Sequence, residues 1–470
     1  VQDGVRVFVS QRRLSVPDPP RRGIARLILH TLATIGAGAG AQILAGIATA
    51  RYFGPAGKGV LSYAGVLANF ALAAAEGLRN GVIFEAGTQG LPLARVWRTA
   101  FALAAAFAPA GMVLFFLLWL HDPAQLAFLF VALAFPFALY VQAINGVYVV
   151  RHDIERLNTQ NACTFGAGSS LVTLVAIVFL HATLVAALTI WLAGFVASAV
   201  VAGLGARSLL RSGDADAAAP SPTWRAQLVF GLKGGLSASV TLLALRVDLL
   251  LVGALLPAAT LGVYALAVAL GELPWMVSRA VTWSTTPRIG TDEFEAAARL
   301  TAKAVRFLFA FMGAAALVVA AGATLFVPLV YGAAFAGATP LLYVLIPRLL
   351  AYGSDGVVSY FIAVRAGRPG AQLAFECATF ALCGALAFAG IARFGVMGAA
   401  LGTTVAFVVA VAAKLTYFCR LTGCGAGDVL LARRGDVPEA VAARLPPFLR
   451  AALAARPGGE RPRSLEREGR

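Results

Sequence analysis

Charge is scarce in this chain: only 13% of its 470 residues are Asp, Glu, Lys or Arg, about half the share usual in a soluble domain. Chemistry-bearing side chains are scarce too. The four histidines, His30, His121, His152 and His181, are scattered without metal-ligand spacing. The five cysteines, Cys163, Cys377, Cys383, Cys419 and Cys424, are odd in number and show no metal spacing either. Three of them (Cys163, Cys377 and Cys383) lie in apolar runs, where a thiol acts as a small hydrophobe. No Walker loop, GxSxG elbow or dinucleotide fingerprint is present. The run "GAGAG" at 36–40 sits inside an apolar helix, where small residues are expected to allow close helix packing. These absences leave no enzyme constellation, and neither cofactor nor metal is expected. No cleavable signal peptide is visible, because the polar, basic "QRRLSVPDPPRRG" precedes an apolar run too long for an h-region.

What the chain has is apolar length. It is 60% hydrophobic with a mean hydropathy of +0.81. Twelve apolar segments can be drawn, at about 24–50, 59–84, 99–120, 126–150, 158–180, 183–206, 227–254, 259–285, 305–330, 337–364, 370–392 and 396–419. Each is long enough to cross a hydrocarbon core of about 30 Å, which takes about 20 helical residues. An all-α polytopic membrane protein is therefore expected. The net charge of +16 follows the same topology: 31 of the 38 Lys and Arg fall on one face and three (Arg51, Lys58 and Arg393) on the other. By the positive-inside rule the basic face, with both termini, is cytoplasmic. There the charge meets anionic headgroups rather than nucleic acid.

The longest polar interruption before the tail, "RSGDADAAAPSPTWRAQ" (211–227), divides the segments six to six. The expected organisation is a basic N-terminal segment (1–23), a six-helix lobe (24–206), a cytoplasmic linker (207–226), a second six-helix lobe (227–420) and a basic tail (421–470). In the tail, "EAVAARL" and "FLRAALAAR" could lie on the membrane surface as an amphipathic helix or stay disordered. With six segments each, both lobes enter the membrane in the same direction. A weak repeat supports the division: "FGPAGKGVLSYAGVLANF" (53–70) resembles "LLPAATLGVYALAVALGE" (255–272), aligning Pro55 with Pro257 and Gly59 with Gly262.

Charges inside the apolar segments need a reason, since one at mid-bilayer costs roughly 2.5–3.5 kcal/mol on insertion scales. Segment 2 carries Glu76 and Arg79, three apart on one face. Segment 8 carries Glu272 and Arg279, and segment 10 Arg348 and Asp355, each pair seven apart and on one face. Glu376 lies near the basic end of segment 11, where an interhelical pair or snorkelling explains it. On segment 7, Arg246 and Asp248 are separated by about 200°, so they cannot pair along their own helix. By helical rise, Arg79 and Arg279 lie in the basic half of the membrane and Arg246 and Asp248 in the other half. Charges at several depths on segments 2, 7 and 8 read as a polar cavity, with Arg246 facing the cleft and Asp248 a packing partner on segment 8. Pro274, just after Glu272, is a candidate hinge. Pro136, Pro340 and Pro347 are further candidates for kinks.

Several stretches resemble bacterial polysaccharide flippases. "ATARYFGPAGKGVLSYA" is similar to their first outer turn, and "LRVDLLLVGALLPAATLGVYALAVALGELPWMVSRAVTWSTTPRIG" (245–290) to their seventh and eighth helices. "VYGAAFAGATPLLYVLIP" with "AGRPG", and "GVMGAALGTTVAF", resemble their tenth-helix region and last helix. The resemblance implies the multidrug/oligosaccharidyl-lipid/polysaccharide exporter superfamily, with two six-helix lobes around a central cleft and alternating access. It further implies a bacterial inner-membrane protein that carries undecaprenyl-pyrophosphate-linked oligosaccharide between leaflets, beside membrane lipids and with polysaccharide polymerase and chain-length proteins as partners. Arg79, Arg246 and Arg279 would then meet the diphosphate. Glu76, Asp248 and Glu272 would hold those arginines or take a coupling proton or sodium ion. An ion-coupled multidrug antiporter, a lipid II flippase and a non-transporting scaffold for glycan synthesis are the alternatives.

Overall fold

The computed structural model describes residues 24–151, 153–161, 167–211 and 224–430. The basic N-terminal segment, residues 212–223 of the linker, the tail beyond 430 with its amphipathic stretches, and Cys163 lie outside the described residues. Within them the chain is helical and contains no strand.

The first helix, α1 (Ile24–Val82), would be about 88 Å long if straight, far more than one crossing requires. It is two passes joined at Gly54, whose φ of 64° and ψ of −170° no β-carbon-bearing residue adopts readily. Pro55 follows, with its φ already set for a new helix. The same device recurs in α13 (Pro369–Thr422), broken at Gly395 with φ 58°. Between them run α2 (Leu93–His121), α3 (Leu126–Val150), α4 (Ile154–Asn161), α5 (Ala167–Leu180) and α6 (Leu184–Arg211) in the first half. The second half opens with α7 (Trp224–Leu255), α8 (Ala258–Glu272), α9 (Trp275–Thr291), α10 (Phe294–Tyr331), α11 (Ala338–Gly353) and α12 (Asp355–Tyr360), and ends with α14 (Ala426–Leu430). Among the described residues seven helices are long and apolar enough to cross a membrane, or eight with α8 and α9 taken as one bent span. With α1 and α13 each counted as two passes, and α5 and α7 included, the described residues make twelve passes in two lobes.

One helix break falls where the backbone loses a donor. Between α8 and α9 the axis bends by 43° at Leu273–Pro274, where proline withholds its N–H. By contrast α3 and α11 run on through Pro136, Pro340 and Pro347, and the break in segment 10 falls instead at Ser354. Along 36–40, Gly38 is buried and Gly36 exposed, and no described atom lies within 4 Å of where a β-carbon would stand on Gly36, Gly38 or Gly40.

The lobes share one apolar core toward the face opposite the basic one. Tyr63, Leu67 and Val131 of the first half pack there with Val252, Tyr264 and Leu266 of the second. Lipid tails are as apolar as leucine, so this seam holds by close fit and by hydrogen bonds rather than by exclusion from water.

Candidate functional site

Two glycines make the fit. A β-carbon on Gly59 would stand 1.9 Å from the Ala258 carbonyl oxygen, and one on Gly262 would stand 1.9 Å from that of Pro55. The backbones of α1 and α8 therefore touch where no larger residue is admitted. Beside this crossing Arg51 donates from Nε to the Val330 carbonyl at 2.7 Å and from its terminal nitrogen to that of Leu329, capping the end of α10 from the other lobe. Further along α1 and α7, the Ser239 hydroxyl donates to the Ala73 carbonyl at 3.1 Å. Nearer the basic face, Gln227 donates to the Val96 carbonyl at 3.4 Å.

The intramembrane charges sort by exposure into closed and open groups. Asp248 is 0% exposed and Arg348 3%. Arg348 donates from Nη1 to Asp248 Oδ2 at 2.5 Å and from Nη2 to the Leu245 carbonyl at 2.8 Å, and it lies 4.7 Å from the centre of the Phe407 ring. Tyr264 donates its hydroxyl to the same carboxylate oxygen at 2.7 Å. A second closed group forms around Lys414, which is 2% exposed and donates to Asp355 Oδ1 and Glu376 Oε1, both at 2.7 Å. Gln372 donates to that Glu376 oxygen at 2.6 Å. Thr241 and Tyr352 border the same small void.

Arg246 and Glu272 are the more open pair. They form a two-pronged bridge of 2.5 and 2.8 Å with side chains 18% and 19% exposed. Beside it a narrow cleft is lined by Gly271, Glu272, Trp275 and Arg348. Glu76 and Arg79 pair with each other, their side chains 24% and 32% exposed. Arg279 is exposed on α9, with Met276 and Trp283 on the same side, and no carboxylate among the described residues bonds to it.

The sites are thus brought together differently from the sequence spacings. Glu272 does not share a face with Arg279, because the bend at Pro274 rephases the helix and Glu272 turns to Arg246 across the seventh and eighth segments. Arg348 does not pair toward Asp355, because the break at Ser354 rotates one away from the other; their partners are Asp248 and Lys414. Lys414, counted from sequence with the basic face, is buried in segment 12. Its one signal in the sequence is position, because Lys414 falls inside the apolar segment 396–419. Methionine at Lys414 would strand two buried carboxylates and is expected to cost about 3–5 kcal/mol, with part recovered by adding Glu376→Gln. Thermal unfolding of the detergent-purified single and double variants measures this. Among the described residues no three His, Cys, Asp or Glu side chains converge as a metal-ligand set.

No family model matches the chain, and no curated protein matches its sequence. Solved structures do match. A multidrug resistance MATE family transporter of the MOP superfamily in its inward-facing conformation is similar over 84% of this chain and 98% of its own, with a TM-score of 0.64 and 14% identity. The lipid II flippase MurJ in an inward closed conformation is similar over 84% of this chain and 90% of its own, again with a TM-score of 0.64 and 14% identity. A MOP superfamily transporter from Pyrococcus furiosus, described as having a binding pocket of reversed polarity, matches with a TM-score of 0.56 and 17% identity over 85% of this chain and 95% of its own. At such identities the likeness speaks for architecture: this multi-pass membrane chain has the two-lobed fold of the MATE and MurJ transporters.

Proposed function

We propose that the chain flips a diphosphate-linked glycan lipid, undecaprenyl-pyrophosphate-linked oligosaccharide, from the cytoplasmic to the periplasmic leaflet of a bacterial inner membrane by alternating access. The observation that carries this reading is the sign of the open charge. Each of Glu76, Asp248, Glu272, Asp355 and Glu376 is held by an Arg or Lys, and Glu85, at the basic end of segment 2, is 1% exposed. Arg279 stands open with no carboxylate bound to it among the described residues. A cavity that selects cationic drugs needs an accessible acid, whereas a diphosphate needs accessible guanidinium groups, whose fork matches phosphate oxygens.

Arg79 and Arg246 join Arg279 by exchanging their carboxylate partners for the substrate. The polyprenyl tail stays in lipid while the headgroup crosses. Both lipid II flipping and drug export are carried out on this fold by the similar proteins, and the Pyrococcus protein links pocket polarity to a suggested change of function. A coupling proton belongs where acids outnumber bases, which is at Asp355, Glu376 and Lys414.

The test is accumulation of lipid-linked glycan on the cytoplasmic leaflet after deletion of the gene, with rescue by variants. Arg279→Ala is expected to lower flipping by about tenfold or more, because a hydrogen bond to a charged group contributes about 1.5–3 kcal/mol. Arg79→Ala and Arg246→Ala should act in the same direction. Full rescue by all three would overturn the reading, and a drug-efflux phenotype with no glycan defect would replace it with the antiporter.

A further inference from the structure

Away from the seam, the first lobe has an open groove between α2, α3 and α6. Its walls are small where they face each other: Ala104, Ala105 and Ala108 on α2 oppose Ala199 and Gly203 on α6. Small residues normally draw membrane helices into contact, yet here they border an open space. One end of the groove is polar. Arg207, one turn before the basic end of α6, is exposed, and no carboxylate among the described residues pairs with it. The Tyr140 hydroxyl points over Gly203, where a β-carbon would stand 2.6 Å from it, and has no hydrogen-bond partner among the described residues. Trp97 extends this end: it stacks on Phe101 at 5.5 Å, and Phe101 meets Tyr140 edge-on at 5.7 Å. Among the described residues no acceptor bonds the indole N–H of Trp97, which is itself buried.

We propose that this groove is a binding site for one anionic phospholipid of the leaflet on the basic face. The apolar part extends from Arg207 to Val200 and beyond, seven residues or about 10 Å of helix rise. That is a depth within one leaflet of a core of about 30 Å. The polar end offers a guanidinium, which can only donate, beside a phenol hydroxyl that can turn its proton to the same ligand, so a ligand there is an acceptor, and a phosphodiester supplies several. No acid among the described residues stands by Arg207 to welcome the amine of a zwitterionic headgroup, so an anionic lipid is preferred. The acyl chain fills the space between the alanines, and the aromatic ladder sits at headgroup level, where such rings are favoured. The site is separate from the intramembrane charges and does not depend on what is transported.

The experiment is native mass spectrometry of the detergent-purified full chain with equimolar phosphatidylglycerol and phosphatidylethanolamine. One tightly retained phosphatidylglycerol per chain is expected, preferred by about fivefold or more. Arg207→Gln should bring the two lipids to parity, and Ala105→Phe, whose ring would occupy the groove from its exposed wall, should reduce retention of both. Arg288→Gln, an exposed change on the basic face of the other lobe, should alter neither. Equal retention of the two lipids by the unaltered chain would overturn the proposal. So would an unchanged preference in Arg207→Gln, which alters only an exposed side chain and so leaves folding intact, or displacement of the bound lipid by millimolar glycerol 3-phosphate.

Discussion

Methionine in place of Arg348 is expected to destabilise the second lobe by about 3–5 kcal/mol, because it leaves Asp248 ionised and unpaired in a site with no exposure. Tyr264 and the Leu249 N–H, at 2.7 and 2.8 Å, would still bond that carboxylate, but two neutral donors do not replace a cation inside a membrane. The Leu245 carbonyl would lose its 2.8 Å donor as well. Paired with Asp248→Leu, the same substitution should recover most of the loss, since a buried ion pair replaced whole by apolar groups is often neutral in stability. A double-mutant cycle in thermal or denaturant unfolding separates the two cases. If Arg348→Met alone shifts stability by less than about 1 kcal/mol, the pair is not a structural tie.

The second large effect is on motion. Alanine at Gly59 or Gly262 places a methyl group against a backbone carbonyl that cannot move aside, so the two lobes must separate at that end. Overpacking of this kind costs about 1–3 kcal/mol, which lowers the population of the closed seam by roughly 5- to 150-fold. On the function proposed above, alternating access then starves the state open to the basic face, and flipping falls with it. Spin labels at Arg51 and Val330, on opposite sides of the seam, should report a longer distance in either variant. Gly65→Ala is the comparison, because nothing lies within 4 Å of its added carbon. Equal distances in all three proteins would sink the idea that these glycines set the seam.

Both effects show what a linear reading of this chain reaches. Apolar runs of about 20 residues leave little choice of fold class, and a Gly-Pro step between two such runs marks a turn. The two-residue offset of Arg246 and Asp248 is enough to send them to different neighbours, Glu272 in one case and Tyr264 with Arg348 in the other. What escapes is anything that depends on helix phase across a break. Seven residues amount to nearly two whole turns only while the helix is continuous, and the chain is interrupted between Glu272 and Arg279 and again between Arg348 and Asp355. Lys414 escapes for a different reason: its acids lie 38 and 59 residues away, and nothing local distinguishes a lysine near a helix end that faces water from one that faces two carboxylates. The groove beside Arg207 is likewise invisible along the chain, since the same alanines could equally have closed it.

The contact between Gly59 and Gly262 has a further property. Each glycine meets the carbonyl of the residue four places before the other, so the contact is isologous, the kind made by a patch pairing with its own copy about a two-fold axis. Two identical six-helix chains entering the membrane in the same direction could make it without a linker. Joining them end to end would leave the interface unaltered while making its two sides separately mutable. From then on, each half holds a glycine whose reason lies entirely in the other half, and a change in either one is felt equally by both.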